Sequence, residues 1–508
     1  MKKNKLKEMF VLSWLSNVNS NYVTPRQREL NKNLMKIDDV LNDPVVQNMT
    51  GGKWDIVWGP AACNSEYLRS CEPILGKTKN IKRWVTDNAM YVAQKAGTNE
   101  YFIGISGTNG VSLKGWFEQD FDVEESVPWP LESLGSNSVA VKGKPRISKA
   151  GQKGIESLWN MKPKGAMKES GTRLIDFLLG NVEGKECTIS IGGHSLGGCL
   201  TAILAAAISD KVAENKAAYG GVKINAYPTA GPTPGNQDFA NHLAENINEY
   251  HAVYNENDLV PLSWDFEKLE QFKKEYSQWK FGGDMIRPNE PVNANLLLWA
   301  SNFAKEQRYV RQPSFHSPNF QVFTWQNDLI ETIKINGGDM SENELRWVVL
   351  GAGIAITQEK SPVTDQLSRI MNYRSKEHAS AAHLLRFLIQ ILLQHLTAYL
   401  SPTSSNGVPW SFTDNEKTAL TKLFLNRKKS IENIEKDTKE WGIATGLKLL
   451  ADLLKQAADW LDNVDHDTSS LVIGETLEND SPISKEKDLV DVNLGGEYPS
   501  FGNLYEPS

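Results

Sequence analysis

Residues 188–207 read TISIGGHSLGGCLTAILAAA and place the pentapeptide GHSLG, centred on Ser195, between a β-branched apolar run and an Ala- and Leu-rich run. The first run is typical of a buried strand and the second of a helix. A G-x-S-x-G pattern at such a junction indicates a nucleophile elbow, a sharp turn that exposes the serine hydroxyl. Gly193 and Gly197 supply the small residues that let strand and helix approach each other. The alternative is a glycine-rich turn that only joins the two elements.

A serine nucleophile needs a general base and an acid that orients it, and in such folds these follow the serine in the order acid, then histidine. Residues 250–262 read as an apolar strand that ends in a polar turn, so we expect Asp258 at the carboxyl end of a strand, where catalytic groups of α/β sheets collect. His316 lies between proline and aromatic residues in a short predicted loop that could reach back to Ser195. We therefore predict Asp258 as the acid and His316 as the base.

Other residues compete for these two roles. Asp258 could instead be a turn residue, with Glu256 as the nearest substitute acid. His251 alternates with apolar residues and fits a core position, His242 lies on a helical run, and His194 is expected to pack locally. The remaining histidines have no serine or acid pattern near them and are assigned no role: His378, His383, His395 and His466.

Acyl transfer also needs backbone N–H groups aimed at the developing oxyanion, each worth roughly 3–4 kcal/mol. Leu196, the residue after the serine, is expected to supply one of them. Thr108 is expected to supply the other, because it lies in a glycine-rich turn that follows the apolar run 100–105. A plain hairpin turn is the alternative at that position.

Four sequence blocks, in this order, resemble the class 3 lipases, the fungal-lipase-like branch of the α/β-hydrolases. The blocks are Ile103–Thr108 with Ser112–Asp120, Gly193–Gly198, Thr229–Ala240 and Asn255–Pro261. The resemblance implies an α/β-hydrolase fold with a mostly parallel central sheet and a site that hydrolyses esters. It implies the same roles for the residues singled out above: Ser195 as nucleophile, Asp258 as acid, His316 as base, and Thr108 with Leu196 as the oxyanion hole.

The resemblance also implies that the segment around Trp116 belongs to a lid. Residues 112–131 are rich in bulky apolar side chains but are broken by charges and prolines. Such a pattern is typical of an amphipathic flap that covers an apolar pocket in water and turns its apolar face to a lipid surface. The lid candidates are Trp116, Phe117 and Trp129, and a rigid loop whose aromatic residues pack inward is the alternative.

The composition excludes several classes of protein. The chain has 508 residues and a formal net charge of −7, so it lacks the basic field that nucleic-acid binding requires. Neither a phosphate-binding signature nor a zinc-ligand spacing is found, and no cofactor is expected. Four cysteines are too few for a disulfide scaffold. Cys63 and Cys71 could bridge each other or remain free thiols.

The pattern along the chain predicts four regions: an N-terminal helical strap over 1–50, an α/β-hydrolase domain over 51–330, an all-helical region over 331–465 and an acidic flexible tail over 466–508. The strap is expected as two short helices across the back of the sheet. A signal sequence over 9–15 is the alternative, so a cytoplasmic and an exported location both stay open. For the C-terminal helices, core packing is favoured over docking to a membrane or a partner.

The function that these residues indicate is hydrolysis of carboxylic esters, most directly of lipid esters, by a lipase or a phospholipase A type of enzyme. Transient contact with a lipid interface would accompany it. Two hypotheses of other classes remain: a secreted toxin-like phospholipase effector, and a catalytically silent hydrolase fold used as a binding module.

Overall fold

The computed structural model describes residues 3–19, 24, 26–71, 79–107, 125–135, 142–255 and 258–265. It also describes short later pieces at 280–281, 284–285, 309, 321–323, 395, 398–400, 410–413, 415–416 and 419–420. All of them lie in one compact unit, Met1–Ala458.

The described part of the chain alternates helices and strands after a helical N-terminal segment. The helices are α1 Lys3–Leu15, α2 Gln27–Leu34, α3 Lys36–Leu41, α4 Pro44–Met49, α5 Lys149–Asn160, α6 Leu174–Val182, α7 Leu196–Glu214, α8 Lys216–Tyr219, α9 Gln237–Asn246 and α10 Ala398–Leu400. The strands are β1 Trp54–Cys71, β2 Lys79–Lys95, β3 Glu100–Ile105, β4 Ser126–Pro128, β5 Arg146–Ser148, β6 Cys187–His194, β7 Val222–Thr229, β8 Glu249–Tyr250, β9 Val253–Asn255, β10 Lys280–Phe281, β11 Asp284–Met285 and β12 Gln321–Phe323.

One central sheet organises these elements in the strand order β1-β2-β3-β6-β7-β9-β12, with β8 paired to β7. The long hairpin β1–β2 and the pair β2–β3 are antiparallel. From β3 onward the pairs are parallel, with Ile105 opposite Gly193 and His194 opposite Thr229. The expectation of an α/β fold around a mostly parallel sheet is confirmed. The carboxyl ends of β3, β6, β7 and β9 consequently meet at one edge.

Each face of the sheet carries its own hydrophobic layer. Along β3, Tyr101, Ile103 and Ile105 join the layer of α5, α6, α7 and α9, whereas Phe102 joins the opposite layer. This alternation follows from the two-residue period of a strand. The second layer contains α1 to α4 and, from the distant end of the chain, Tyr399, Leu400, Trp410, Phe412, Ala419 and Leu420. These six residues, which lie in the region 331–465 that the sequence predicts to be helical, therefore contribute to the core beside the sheet.

The N-terminal segment packs on one face of the sheet, and α1 lies deeper than an amphipathic surface helix would. Its apolar side chains from Leu6 to Leu15 are buried around the whole helix. The carbonyl of Leu12 accepts a hydrogen bond from the hydroxyl of Tyr91 at 2.7 Å. The second expected helix is divided into α2 and α3, and the four residues that predicted it, Leu30, Leu34, Ile37 and Leu41, are all buried.

Helix α7 is the core helix of the first layer. Among the described residues it is the one helix long and apolar enough to cross a membrane, and 78% of its most apolar window is buried inside the protein. Packing between the sheet and α5, α6 and α9 accounts for its apolar composition, since a helix buried on all sides needs no polar face.

Cys63 is a free thiol that accepts a hydrogen bond from Ser157. It lies on the same strand, β1, as Cys71, where it pairs with Asn88 while Cys71 pairs with Lys79. Eight residues of extended strand span about 26 Å, and a disulfide requires Cα atoms within about 7 Å. The free-thiol alternative for Cys63 is therefore the one that the structure supports.

Candidate active site

The strand-to-helix junction at Ser195 has the backbone geometry of a nucleophile elbow. Ser195 has φ 62° and ψ −130°, a conformation that side chains rarely adopt. Its backbone N–H donates to the carbonyl of Thr229 at 3.0 Å, and its own carbonyl accepts from Gly198 at 2.8 Å. A Cβ atom at Gly193 would overlap the carbonyl of Gly197, so these two positions tolerate glycine alone. Local sequence therefore builds the turn that the pentapeptide predicts.

Asp258 lies fully buried directly after β9, at the same edge of the sheet as Ser195. Its Oδ1 accepts a hydrogen bond from the backbone N–H of Val260 at 3.0 Å, which closes a local turn. Its Oδ2 accepts from His395 Nδ1 and from the Tyr399 hydroxyl, each at 2.8 Å. One oxygen of Asp258 thus closes the turn that the sequence offered as the alternative, and the other accepts from an imidazole, as the predicted acid would.

The imidazole on Asp258 belongs to His395, a residue to which the sequence assigned no role. It is almost fully buried and stands 137 positions after its acid. One sequence signal could have found it: His395 and Tyr399 are four positions apart on an apolar predicted helix, a spacing that places both side chains on one face. That face can present two donors to one carboxylate.

His194, the residue before the nucleophile, connects the elbow to His395. Its Nε2 donates to the backbone carbonyl of His395 at 3.0 Å, and the two rings lie 4.9 Å apart. Burial, with the nearby His395 as a smaller cause, holds the pKa of His194 well below its usual value. The ring therefore stays neutral, and its proton remains on Nε2. Phe10 and Trp14 of α1 meet it edge-on at 6.4 Å and 5.3 Å between ring centroids.

The end of the strand that precedes the expected oxyanion turn forms hydrogen bonds with two other segments of the chain. Ser106 donates its backbone N–H to Ala89 O at 2.9 Å, and its Oγ accepts from Ala89 N at 2.8 Å. The backbone N–H of Gly107 donates to Asn17 Oδ1 at 2.8 Å. Leu196, the other expected oxyanion donor, begins α7, and the first N–H groups of a helix have no acceptor within it.

Several predicted site residues lie outside the described residues: His316, Thr108, Trp116 and Phe117, as well as the substitute acid Glu256. The structure therefore brings together Ser195, Leu196 and Asp258 from the predicted set at the carboxyl edge of the sheet. The predictions for the others stay predictions, and the imidazole that the described residues place on Asp258 is that of His395.

The structure contradicts the lid prediction for Trp129. Its side chain is buried against Phe239 and donates its Nε1–H to Asp210 Oδ2 at 3.0 Å. Asp210 lies fifteen residues along α7 from Ser195, which corresponds to about 22 Å of helix. Trp129 is therefore a core residue remote from the nucleophile, and it cannot be part of a flap over it.

The competing histidines have other partners. His242 on α9 is buried and bonds Asp210 Oδ1 through Nε2 at 3.0 Å. His251 is buried, stacks on Tyr227 at 5.4 Å and lies 3.3 Å from Glu249 Oε2. Both match the structural roles that the sequence indicated for them. Within the described ranges, no group of three or more His, Cys, Asp or Glu residues could hold a metal ion.

Comparison with known proteins gives a family match and a fold likeness. The family described as lipase (class 3) matches residues 152–266, a segment that contains the elbow and Asp258. Residues 152–266 therefore match the class 3 lipases, and we call the unit that contains them the lipase domain. Among solved structures, the lipase domain resembles that of M37 lipase, with 26% identity and a TM-score of 0.50 over 64% of this chain and 87% of that one.

Two fungal structures show a looser likeness to the lipase domain. The lipase of Rhizopus microsporus var. chinensis is 11% identical, with a TM-score of 0.30 over 51% of this chain and 68% of that one. Lipase II of Rhizopus niveus is 13% identical, with a TM-score of 0.30 over 52% and 76%. No curated protein sequence matches the chain significantly. The likeness to M37 lipase and the mostly parallel sheet confirm the α/β-hydrolase fold that the resemblance implies.

Proposed function

We propose that the lipase domain hydrolyses carboxylic esters of lipids with Ser195 as nucleophile, His395 as general base and Asp258 as the acid that orients the base. The observation that carries this proposal is the buried hydrogen bond from His395 Nδ1 to Asp258 Oδ2. The bond from His194 to the His395 carbonyl supports it, because it ties this pair to the residue that precedes Ser195.

The tautomer of His395 follows from its acid partner. A carboxylate only accepts hydrogen bonds, so Nδ1 must be the protonated nitrogen, and the lone pair of the neutral ring lies on Nε2. That nitrogen can take the proton of the Ser195 hydroxyl as the serine oxygen attacks the ester carbonyl carbon. Asp258 stabilises the imidazolium that forms, as in other triads of this type.

The remaining steps conserve atoms and protons. Collapse of the tetrahedral intermediate breaks the bond between the carbonyl carbon and the alkoxy oxygen, and the alcohol leaves with the proton held by His395. Water then attacks the acyl-enzyme by the same route and releases the fatty acid. Two backbone donors, the N–H of Leu196 and that of Thr108, are proposed for the oxyanion.

The substrate class is proposed from the family and from M37 lipase, whose name describes it as a lipase. Triacylglycerols and phospholipids both fit this class. A panel of a triacylglycerol, a phospholipid and soluble nitrophenyl esters, with analysis of the released fatty acid, separates a lipase from a phospholipase A.

The nucleophile is tested by Ser195→Ala. The variant should remain folded and lose about 10⁵- to 10⁶-fold in kcat, because triad members act as a unit. A fluorophosphonate should label the native chain at Ser195 and leave the variant unlabelled. A native protein that takes no label and hydrolyses no ester of the panel would support the silent binding module instead.

The base is tested by comparing three histidine variants. His395→Ala should reduce kcat by about 10⁴-fold or more, whereas His251→Ala, which removes another buried ring, should change mainly the stability. His316→Ala should leave kcat within about twofold of the native value. If His316→Ala abolishes turnover and His395→Ala does not, the base assigned from the sequence is the right one.

A further inference from the structure

We infer that Asn17 is a positioning residue for the oxyanion turn, an inference that rests on the proposed esterase function. Asn17 lies in the 3₁₀ turn Ser16–Asn19 that follows α1, and its side chain is buried. Its Oδ1 accepts the hydrogen bond from Gly107 N, a residue 90 positions later in the chain. A residue of the N-terminal strap therefore contacts the backbone at the end of β3.

Gly107 lies directly against the nucleophile. A Cβ atom built on it would stand 2.8 Å from the carbonyl oxygen of His194 and 3.3 Å from the Cβ of Ser195. Thr108, the expected second oxyanion donor, is the next residue in the chain. A shift of the Gly107 backbone would thus change the distance between the oxyanion turn and Ser195.

Asn17 supplies a hydrogen-bond acceptor that the neighbouring strands cannot provide. Ser106 is tied to Ala89 by two hydrogen bonds, one from its N–H and one to its hydroxyl. β3 ends at Ile105, and its parallel partner β6 turns away into the elbow after His194. The Gly107 N–H therefore needs an acceptor from another segment, because a buried backbone donor left unpaired costs about 1–3 kcal/mol.

The neutral amide of Asn17 also suits the electrostatics of this position. An amide oxygen accepts the Gly107 N–H without bringing a negative charge close to Ser195. A carboxylate would accept the same bond but would repel the negative charge that develops on the carbonyl oxygen in the transition state. Asparagine thus positions the turn and leaves the local electrostatic potential favourable for an oxyanion.

The same turn contains a matched control. Asn19, two residues later, is also buried, and its Nδ2 donates to Leu30 O and to Thr86 Oγ1, each at 3.1 Å. These contacts hold the strap to α2 and β2, whereas the Gly107 N–H donates to Asn17. Asn17→Ala and Asn19→Ala therefore remove the same amide group from one turn, but only the first removes the bond to the oxyanion side.

The experiment measures kcat and KM for a soluble short-chain ester. Fluorophosphonate labelling counts the active sites. The temperature is kept well below the unfolding transitions of both variants. Asn17→Ala should lower kcat at least tenfold but by no more than about 10² to 10³, the loss expected when a whole oxyanion donor is removed. Its KM should stay within about twofold. An alkyl boronate, which forms a tetrahedral adduct with the serine, should bind the variant less tightly by a similar factor. Asn19→Ala should keep kcat and boronate affinity within twofold.

Equal losses of kcat in the two variants, or a change confined to KM, would overturn the inference. A readout that does not depend on activity is amide hydrogen exchange at Gly107, which should quicken in Asn17→Ala and not in Asn19→Ala. Unchanged exchange at Gly107 would also overturn it. If the native protein is neither labelled nor active, the proposed function fails, and exchange at Gly107 still decides whether Asn17 holds the turn.

Discussion

At the scale of single residues, the carboxylate of Asp258 depends on Tyr399 as well as on His395. The Tyr399 hydroxyl donates to Asp258 Oδ2 and accepts the backbone N–H of Asn255, both at 2.8 Å. This hydroxyl thereby links the acid to the end of β9. Tyr399 itself is fully buried. Removing its hydroxyl would therefore leave the Asp258 carboxylate and the Asn255 N–H without this hydrogen bond.

Tyr399→Phe should lower kcat by about tenfold and the free energy of unfolding by about 1–3 kcal/mol, because a buried backbone donor loses its acceptor. Tyr227→Phe is the control, since its hydroxyl donates to Glu249 at 3.2 Å and not to Asp258. Steady-state kinetics and urea unfolding measure the two effects. Similar kcat values for the two variants would show that Tyr399 only supports the fold.

At the scale of elements, α1 contacts Trp410 and Glu416 close to His194. Phe10 stacks on Trp410 with ring centroids 4.4 Å apart, and Trp410 Nε1 donates to the carbonyl of Tyr399 at 2.9 Å. At the outer end, Lys7 forms an ion pair with Glu416 at 2.7 Å. The helix at one end of the chain therefore supports the segment that follows His395.

Phe10→Ala should cost about 3–5 kcal/mol of stability, which is typical of a phenylalanine buried in a core. It should also reduce kcat per labelled active site, because the support of Tyr399 and His395 is weakened. Phe239→Ala removes an equally buried ring from the opposite layer and should affect stability alone. Thermal unfolding and kinetics at low temperature test this, and an equal loss of kcat in both variants would contradict it.

The flap proposed from the sequence is also tested at this scale. Trp116→Ala should reduce hydrolysis of a long-chain ester above its solubility limit more than hydrolysis of a soluble short-chain ester, since an interfacial flap acts only at a lipid surface. Equal losses on the two substrates, with simple saturation through the solubility limit, would remove the flap and leave the esterase proposal intact.

At the scale of the whole molecule, stability should depend on pH through Asp87 on β2. Burial raises the pKa of this carboxyl to about 6, although a hydrogen bond from Ser65 at 2.8 Å partly opposes the increase. The folded protein therefore binds this proton more tightly than the unfolded chain does. Its contribution is fully present below pH about 4 and is lost as the pH rises through about 6.

Asp87→Asn should remove this dependence. The native protein should lose up to about 3 kcal/mol between pH 4 and pH 7 from this group, given 1.36 kcal/mol per pKa unit, and the variant should not. Urea unfolding at a series of pH values measures the difference. Asp55→Asn, which changes an exposed carboxylate paired with Lys53, serves as the control. Parallel stability curves for Asp87→Asn and the native chain would contradict the assignment.

Local patterns predicted the parts of the site that local forces build. The pentapeptide around Ser195 specified the elbow because the close approach that excludes a Cβ atom at Gly193 is made by Gly197, which belongs to the same five residues. Asp258 was found for a similar reason, since a polar residue directly after an apolar strand reaches the carboxyl edge of the sheet. The lid prediction at Trp129 was wrong because its indole finds Asp210 on α7, a partner that no local pattern indicates.

The sequence by itself therefore determined the class of fold, the sharp turn at Ser195 and the place of Asp258 at the carboxyl edge of the sheet, through periodicity and turn chemistry that act within a few residues. Only the tertiary structure decided which histidine meets Asp258 and which side chain accepts the Gly107 N–H. His395 stands 137 positions from Asp258, and Asn17 stands 90 positions before Gly107. Contacts over such separations depend on how the two layers pack on the sheet, because packing brings residues together by burial and shape and leaves no periodic trace in the chain.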